Sequence, residues 1–327
     1  MAGFLLKRLL NYIALTSVAT VLGYLLISST LNPEARFLGR NPPVPQAAID
    51  TALNRLGANP DVPLLVRLGN WITHLVTTGS LGVSTRGTEV TADIFARSGT
   101  SLRLLIIGTV LGAVIGVLIG VWGAVRQYRA SDQVTTYASF VVFATPTFVI
   151  AVVLMILATG LNGAAGTQLI NFTGEYTPGL QGGFFTQLGD RLIHLLLPTI
   201  TLTLIAVASY SRYQRSAMLD VMSADYIRTA RSKGRTRGSA MFRHGVRVAL
   251  IPMSTFFAYS FGLVLTGASV TELAFSWHGM GEYLIQSIGN NDINAGAGTI
   301  LFTAILVLIS GTLADFLYAA LDPRVRV

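Results

Sequence analysis

Few side chains in this sequence are of the types that perform catalysis or bind metals. The 327 residues include no cysteine and only four histidines, His74, His194, His244 and His278. These histidines are far apart and show none of the short spacings that are typical of metal ligands. No nucleophile, base or metal-ligand set is recognisable at one place in the chain. We therefore expect no metal centre, and a membrane enzyme is one of the weaker alternatives.

A nucleotide-binding loop is not predicted either. The glycine-rich phosphate loop requires the pattern G-x-x-x-x-G-K-[ST] between a strand and a helix. Lys233 and Gly234 are followed by Arg235, with neither the required glycine spacing nor a preceding strand. We expect this chain to bind no nucleotide and no other cofactor itself.

The most informative stretch is residues 221–234, which has the start and stop signals of a short helix. Ser223 is predicted to cap the amino end, and Asp225 follows in the first turn, where the helix dipole favours an anion. Arg231 and Lys233 occupy the last turn, and Gly234 can take the left-handed conformation that ends a helix.

One side of this predicted helix is apolar. Val221, Ala224, Ile227 and Ala230 recur every three residues, and their flanks carry Tyr226, Arg228 and Arg231. An amphipathic helix of this kind suits a groove in another protein. The alternative is a connector that lies on an anionic membrane surface.

The composition of the chain indicates that most of it lies in lipid. Hydrophobic residues make up 52% of the chain, and charged residues only 12%, about half of their share in soluble domains. The net charge of +8 comes from arginines beside hydrophobic stretches, which is typical of membrane orientation signals and not of nucleic-acid binding.

Six stretches are apolar over roughly the 20 residues that a helix needs to cross a bilayer. They are too long for the strands of a membrane β-barrel, so an all-α membrane protein is predicted. The first follows Lys7 and Arg8 and is read as an uncleaved helix. The predicted spans are 9–31, 101–125, 134–161, 192–211, 248–270 and 299–321.

The distribution of basic residues predicts the orientation. If Lys7 and Arg8 are cytoplasmic, so are both termini and the basic stretches 126–129, 212–247 and 324–326. Within 212–247, Arg235, Arg237, Arg243 and Arg247 are interpreted as anchors of this kind. The outer loops 162–190 and 271–298 then hold acidic residues but no lysine or arginine.

Residues 32–100 form the one large external segment in this topology. The segment contains several prolines and a helix-like stretch around 66–76. It is too poor in apolar residues to promise a core of its own, so we expect it to pack on the outer face of the helices. The predicted organisation is 1–31, an amino terminus and first span; 32–100, the external segment; and 101–327, a five-helix transmembrane domain with a cytoplasmic helix at 221–234.

The run Asp225-Tyr-Ile-Arg-Thr-Ala-Arg-Ser-Lys-Gly234, followed by His244 and Ala249-Leu-Ile-Pro252, resembles the cytoplasmic signature of dipeptide and oligopeptide permeases of the ABC class. The resemblance covers nearly the whole chain. Further matching stretches are Leu56-Gly57, Trp71, Gly79-Ser-Leu-Gly82-Val-Ser84, Ser101-Leu-Arg-Leu-Leu105, Thr145-Pro146-Thr-Phe148, Glu272, Phe275, Gly279-Met-Gly281, Asp315-Phe-Leu-Tyr318 and Asp322-Pro-Arg324.

The resemblance implies an ABC-importer permease with six transmembrane helices in a bacterial inner membrane. The implied partners are a second, similar permease, two cytoplasmic ATPases that bind ATP and Mg, an extracytoplasmic peptide-binding protein and membrane lipid. The short helix would dock in an ATPase cleft. The implied coupling residues are Ala224, Asp225, Tyr226, Ile227, Arg228, Thr229, Ala230, Arg231, Lys233 and Gly234.

A gate or substrate path is a further hypothesis. The glycines of the stretch 272–281 permit a tight re-entrant turn at the outer mouth, although a structural loop would use them equally. Pro146 and Pro252 are interpreted as kink or boundary residues, with a hinge as the alternative. The candidate path residues are Pro146, Glu272, Phe275, Trp277, Gly279 and Gly281.

The main alternative function is a stand-alone, ion-coupled secondary transporter of small solutes. Such a protein needs ionisable groups within the membrane, or inverted repeats with broken helices. Asp315 is the one intramembrane carboxylate that the predicted spans offer, and its nearness to Asp322 and the basic tail favours a paired structural group near the interface. No internal repeat is recognisable, so the permease interpretation is preferred.

Overall fold

The computed structural model describes residues 2–234, 236–241 and 245–321, excluding the side chains of 2–7, 231, 237, 240, 258–267, 319 and 321. The regular structure in these ranges is helical apart from one isolated antiparallel bridge between Val83 and Glu89. The predicted all-α class is therefore confirmed. The helices are α1 (Ala2–Thr30), a 3-10 helix (Pro33–Phe37), α2 (Gln46–Leu56), α3 (Leu64–Thr78), α4 (Val90–Val125), α5 (Ala130–Ala144), α6 (Thr147–Ala165), α7 (Phe184–Met222), α8 (Asp225–Ser232), α9 (Arg237–Ala240), α10 (Val246–Ala274), α11 (Met280–Gly289) and α12 (Ile293–Leu321).

Five helical stretches among the described residues are long and apolar enough to cross a membrane. They are Arg8–Thr30, Val90–Val125, Thr147–Ala165, Phe184–Met222 and Ile293–Tyr318. The remaining predicted span, 248–270, lies within α10, whose backbone is helical throughout. Its side chains at 258–267 lie outside the described ones, and the apolar stretch found there is Val246–Phe257.

The predicted continuous span 134–161 is wrong, because two helices share this stretch. α5 ends at Ala144 and α6 begins at Thr147, with Thr145 (φ −85°, ψ 126°) and Pro146 (φ −57°, ψ 141°) in extended conformation between them. A proline has no N–H to donate, and it disfavours helical geometry at the residue before it. Pro146 is thus a boundary residue, as predicted, whereas Pro252 lies inside α10.

The chain divides into two compact units. The first comprises Arg103–Trp277 and the part of α12 from Ile309 onward, and the second comprises Ala2–Leu102 and His278–Leu308. The second unit therefore joins the segment 32–100 to α1, α11 and the start of α12.

The core of the second unit is built around an aromatic pair. The rings of Tyr24 on α1 and Trp71 on α3 are 5.3 Å apart, and Trp71 Nε1 donates a hydrogen bond to Leu81 O at 3.2 Å. Met280 and Ile293 complete a buried cluster with them. The segment 32–100 packs against the helices, as its composition predicted. An aromatic pair of this kind contributes about 0.5–1.5 kcal/mol beyond the area it buries.

The first unit contains an unusually close contact between α4 and α7. Glycines recur every four residues on one face of α4, at 108, 112, 116 and 120. A Cβ at Gly116 would lie 2.6 Å from Tyr210 Cβ, and a Cβ at Gly120 would lie 2.6 Å from Ser211 O. Small residues at helix contacts permit such backbone approach, which increases van der Waals packing where lipid provides no hydrophobic drive.

Candidate functional site

The helix predicted between the fourth and fifth spans is present as α8, Asp225–Ser232. Asp225 lies in its first turn, as predicted, and Arg228 Nη1 is 3.7 Å from Asp225 Oδ1. Both side chains are exposed, so this pair adds little stability. Lys233 and Gly234 follow the last helical residue, and Gly234 adopts φ +86°. The predicted left-handed end is confirmed, since this conformation is accessible mainly to glycine.

The predicted role of Ser223 as the cap of this helix is wrong. Ser223 terminates α7, and its hydroxyl donates to the carbonyl oxygen of Asp220 at 2.9 Å. The first carbonyl of the next turn is that of Ala224, which accepts from Ile227 N at 3.1 Å. Ser223 therefore stabilises the preceding helix, because α7 continues eleven residues beyond its predicted end at 211.

The apolar face of α8 is already occupied within the chain. Ile227 and Val221 are 3% and 8% exposed and pack with Val121, Met218 and Met241. Burying an isoleucine side chain stabilises a fold by about 1.5–3 kcal/mol. This face consequently fixes α8 to the rest of the first unit and is not available to a partner.

The opposite face of α8 is exposed and polar. Its described residues are Asp225, Tyr226, Arg228 and Thr229, and Tyr226 is 43% exposed. Ala224 and Ala230 lie at the margin between the two faces and are half-buried. Partial burial raises the pKa of Tyr226, so its hydroxyl stays neutral at physiological pH. Arg231 belongs to the same helix, but its side chain is outside the described ones.

A buried ion pair close to this helix was not predicted. Arg215 Nε and Nη2 donate to the two carboxylate oxygens of Asp132 at 2.6 and 2.7 Å. Tyr128 N donates to the same carboxylate at 3.0 Å, and Asp132 is 2% exposed. The hydrogen bonds from Arg215 hold the pKa of Asp132 below its usual value. A bidentate pair fixes both distance and orientation, so it ties the start of α5 to α7.

One sequence feature could have identified Asp132. It is the only acidic residue between Asp93 and Glu175. A lone carboxylate beside apolar spans must find a cation or a set of donors when it is buried. Arg215 could not be chosen as that cation from the sequence, because several arginines lie in 126–129 and 212–247.

A small cavity lies beside this pair in the first unit. Its volume is about 170 Å³, and its walls include Gly120, Thr135, Ser139 and Arg215. The hydroxyls of Ser139 and Ser211 are 3.1 Å apart across one side. The cavity could hold waters or a small polar group, but it is much smaller than a peptide-binding pocket.

The candidate path residues Glu272, Phe275 and Trp277 are brought together in one buried turn after α10. They are 1%, 1% and 3% exposed, and Trp277 N donates to Glu272 O at 2.7 Å. Phe275 packs with Ala151, Ala158 and Leu197. The described geometry thus presents Phe275 as a packing group. Pro146 is exposed at the start of α6 and is not part of that cluster.

The glycines do not make the predicted tight turn. The residue with positive φ in this stretch is Ser276, at +52°, whereas Gly279 has φ −96° and Gly281 lies inside α11. Gly279 instead acts as the residue before α11, and its carbonyl accepts from Tyr283 N at 3.1 Å. The turn prediction at Gly279 and Gly281 is therefore wrong.

The loop before α7 is anchored to the same turn. Gly174 N donates to Phe275 O at 2.8 Å, and His194 Nδ1 is 3.1 Å from Gly174 O. Thr177 donates from its backbone and its hydroxyl to the two oxygens of Asp190 at 2.8 and 2.6 Å. His194 is therefore a buried residue of α7 that helps to hold this loop in place.

Among the residues that the structure describes, no group of three or more His, Asp or Glu side chains could hold a metal ion. His244 and the arginines at 235 and 243 lie outside the described residues, as do Asp322, Arg324 and Arg326. The side chain of Arg237 is likewise outside them. Arg247 is exposed at the start of α10.

Comparison with known proteins places these features in context. Residues 112–327 match the family described as "Binding-protein-dependent transport system inner membrane component". The oligopeptide transport system permease protein OppB of Mycobacterium tuberculosis is 49% identical over 327 residues, with both chains fully covered. AppB of Bacillus subtilis, also an oligopeptide transport system permease protein, is 32% identical with both chains fully covered. The dipeptide permease protein DppB of Alkalihalophilus pseudofirmus is 31% identical at the same coverage.

Proposed function

Because the chain belongs to the family of binding-protein-dependent transport system inner membrane components, we propose that it is the permease subunit of an ATP-driven oligopeptide importer. The observation that carries this proposal is the 49% identity, over the whole of both chains, to an oligopeptide transport system permease. A permease is not a catalytic subunit, so ATP hydrolysis belongs to separate ATPases.

The proposed topology has six membrane crossings with both termini in the cytoplasm. Five apolar stretches are long enough to cross the membrane. We count α10 as the sixth crossing, because its 29 residues correspond to roughly 43 Å of helix. Residues 32–100 are then extracytoplasmic, and α8 is cytoplasmic. The lack of lysine and arginine in the loops 162–190 and 271–298 supports this orientation.

The proposed coupling site is the exposed face of α8. This face would contact a cleft of a cytoplasmic ATPase through Asp225, Tyr226, Arg228 and Thr229. The carboxyl end of the same surface would be formed by Ala230, Arg231, Lys233 and Gly234. The buried face supports the transmission of force, because Ile227 packs with Val121 and Met218 on the spanning helices. Closure of two ATPases would then move α8 together with those helices and switch the path between inward-open and outward-open states.

The proposed importer also requires subunits that this chain does not supply. A second permease would complete the path, since two ATPases require two coupling helices. An extracytoplasmic peptide-binding protein would deliver the substrate, and 32–100 is the candidate surface that receives it. The buried turn that contains Phe275 and Trp277, at the end of α10, is proposed to form part of the outer wall of the path.

The test is peptide uptake by the assembled complex in proteoliposomes, with two uncoupling variants of the chain. Ala230→Glu adds a charge at the edge of the exposed face, and Gly234→Val forces a β-branched residue into φ +86°, which is strongly disfavoured. Both should abolish ATP-driven uptake while the chain remains in the membrane. Uptake by this chain alone on a proton gradient, without an ATPase, would contradict the proposal.

A further inference from the structure

The second unit contains a polar cavity that has no assigned role. Its volume is about 420 Å³, and it lies between the end of α2 and one face of α3. That volume is within the range of small-molecule sites. One side of α3 lines the cavity with Arg67, Asn70, Trp71 and His74, whose spacing places them on the same face of the helix. Arg55 lines the cavity from α2.

The wall of the cavity is stabilised by hydrogen bonds from neutral side chains, and the two arginines that line the cavity take no part in them. Asn294 Nδ2 donates to Leu56 O at 2.8 Å and to Val83 O at 3.0 Å. Asn59 Nδ2 donates to Asn54 Oδ1 at 2.9 Å. With the Trp71–Leu81 bond, these contacts connect four separate chain segments around one opening. The cavity is thus a built feature of this unit and not a gap between loops.

Arg67 has an incomplete set of partners. Its Nη1 donates to Ala58 O at 3.4 Å, while its Nε is buried and has no hydrogen-bond partner among the described residues. A buried donor without a partner is unfavourable by about 1–3 kcal/mol. This enclosed Nε is out of reach of a ligand, but the two Nη groups at the end of a guanidinium can also donate parallel hydrogen bonds to a carboxylate. The bond of Nη1 to Ala58 O is long and therefore weak.

Within the part of the chain that the structure describes, no anion is supplied to this cavity. No aspartate or glutamate is among the residues that line it. In the described part of the chain, neither Arg55 nor Arg67 lies within 4.0 Å of a carboxylate oxygen. Two arginines that face one concave surface repel each other, so an anion that binds there is favoured by both.

We propose that this cavity binds the carboxylate group of a short peptide. Arg67 is the main contact with the carboxylate, and Arg55 adds positive charge at the rim of the cavity. The side-chain amide oxygen of Asn70 accepts a hydrogen bond from an N–H of the ligand. A short peptide offers an anion together with backbone N–H donors for that amide, whereas inorganic phosphate and phosphatidylglycerol offer no N–H donor. The identity of the ligand rests on the proposed function in peptide transport, whereas the anion site rests on the cavity alone.

The test is equilibrium binding of radiolabelled N-acetyl-trialanine to the full chain, purified with the subunits it retains and placed in phosphatidylcholine nanodiscs. The same peptide with a carboxyl-terminal amide is the matched probe. The free acid should bind about 10- to 100-fold more tightly than the amide, the range expected when a charge-assisted, bidentate contact is lost. Equal affinities would overturn the proposal.

Variants then assign the effect to this cavity. Arg67→Met should reduce the acid-to-amide affinity ratio to about one, and Arg55→Met, at an exposed position, should reduce it partially without a risk to folding. Arg40→Met is the control, because Arg40 is an exposed arginine of the same segment outside the cavity. A ratio unchanged by both cavity variants would overturn the proposal even if one of them folded poorly.

Two further arms separate this site from other sources of anions and from transport itself. Inorganic phosphate, or phosphatidylglycerol added to the nanodiscs, should not displace the peptide at matched concentration; displacement by either would reassign the cavity to phosphate. ATP-driven uptake is measured on the same preparations. Equal affinities of the acid and the amide in the unmodified complex, together with normal uptake, refute the cavity site alone, whereas absence of uptake in the unmodified complex refutes the proposed function.

Discussion

Asp132 shows how a single carboxylate can organise the end of a helical bundle. It accepts both N–H groups of one arginine and a backbone amide from the α4–α5 connection, and it is almost fully buried. A buried charge is tolerated only when its partners are complete. Its donors come from α7, through Arg215, and from the α4–α5 connection, through Tyr128 N, so the carboxylate fixes both of these parts of the first unit to the start of α5.

Replacement of Asp132 by asparagine should destabilise the protein by about 2 kcal/mol. Loss of one partner from a fully buried pair costs about 3–5 kcal/mol, and the value is reduced here because Arg215 is 26% exposed. The measurement is the thermal unfolding midpoint of the purified protein in detergent. Asp225→Asn is the control, since its ion pair is exposed, and its midpoint should be unchanged. Equal midpoints for Asp132→Asn and the unmodified protein would refute the structural role.

The same carboxylate predicts a pH dependence. The folded-state pKa of Asp132 is lowered from 3.8, so its stabilising contribution is complete above the unfolded-state pKa and is lost as the pH falls through the folded-state value. The difference in midpoint between the unmodified protein and Asp132→Asn should be constant from about pH 5 to 8 and shrink below about pH 4. A difference that grew on acidification would contradict the assigned sign.

At the scale of single helices, the two faces of α8 differ: one is buried and the other is exposed. Its apolar face stabilises the first unit through Ile227, and its exposed face carries Tyr226 and Arg228. A helix that only rested on a membrane surface would direct its apolar face toward lipid. The burial of Ile227 against the chain itself therefore favours a rigid lever over a surface anchor.

The two faces should respond differently to alanine substitution. Tyr226→Ala should leave the unfolding midpoint unchanged and reduce ATP-driven peptide uptake about fivefold or more, because it removes a side chain that the proposed coupling site assigns to the contact with the ATPase. Ile227→Ala should lower the stability by about 2–4 kcal/mol through loss of buried apolar volume. Midpoints and uptake are measured on the same preparations. The reverse pattern would show that the faces are assigned the wrong way round.

The contact between α4 and α7 also makes a prediction. Gly120→Ala should destabilise the first unit by about 1–3 kcal/mol, because the new methyl group would meet the carbonyl oxygen of Ser211 at 2.6 Å. Gly160→Ala on α6 is the matched control, since nothing lies within 4 Å of the position that its methyl group would take. It should be neutral or slightly stabilising, as expected for alanine in a helix. Thermal midpoints of both variants decide the question.

Much of the architecture was predictable because membrane spans depend on length and apolar content, which the sequence displays directly. The carboxyl end of α8 was predictable for a similar reason, since Gly234 is a local signal. Ser223 was assigned to the wrong helix because α7 extends past the apolar stretch, and polar residues within a helix give no boundary. The Asp132–Arg215 pair joins positions 83 residues apart, and local patterns contain no information about such contacts.

At the scale of the whole molecule, the orientation in the membrane can be tested without removing native residues, because the chain has no cysteine. A cysteine at Thr236, beyond α8, should react only with reagents that reach the cytoplasm. A cysteine at Thr51, exposed on α2, should react in intact cells with a reagent that does not cross the membrane. If a reagent that does not cross the membrane labelled Thr236→Cys in intact cells, the proposed orientation would be contradicted.

The break at Thr145 and Pro146 has a consequence for hydration. The last carbonyls of α5 and the first amides of α6 lack helical partners, and hydrocarbon cannot supply any. If α5 and α6 traverse the bilayer together, these groups must meet either protein or water at mid-depth. Where no protein covers the break, water must, so these two residues mark a place on the helix pair that lipid alone cannot surround.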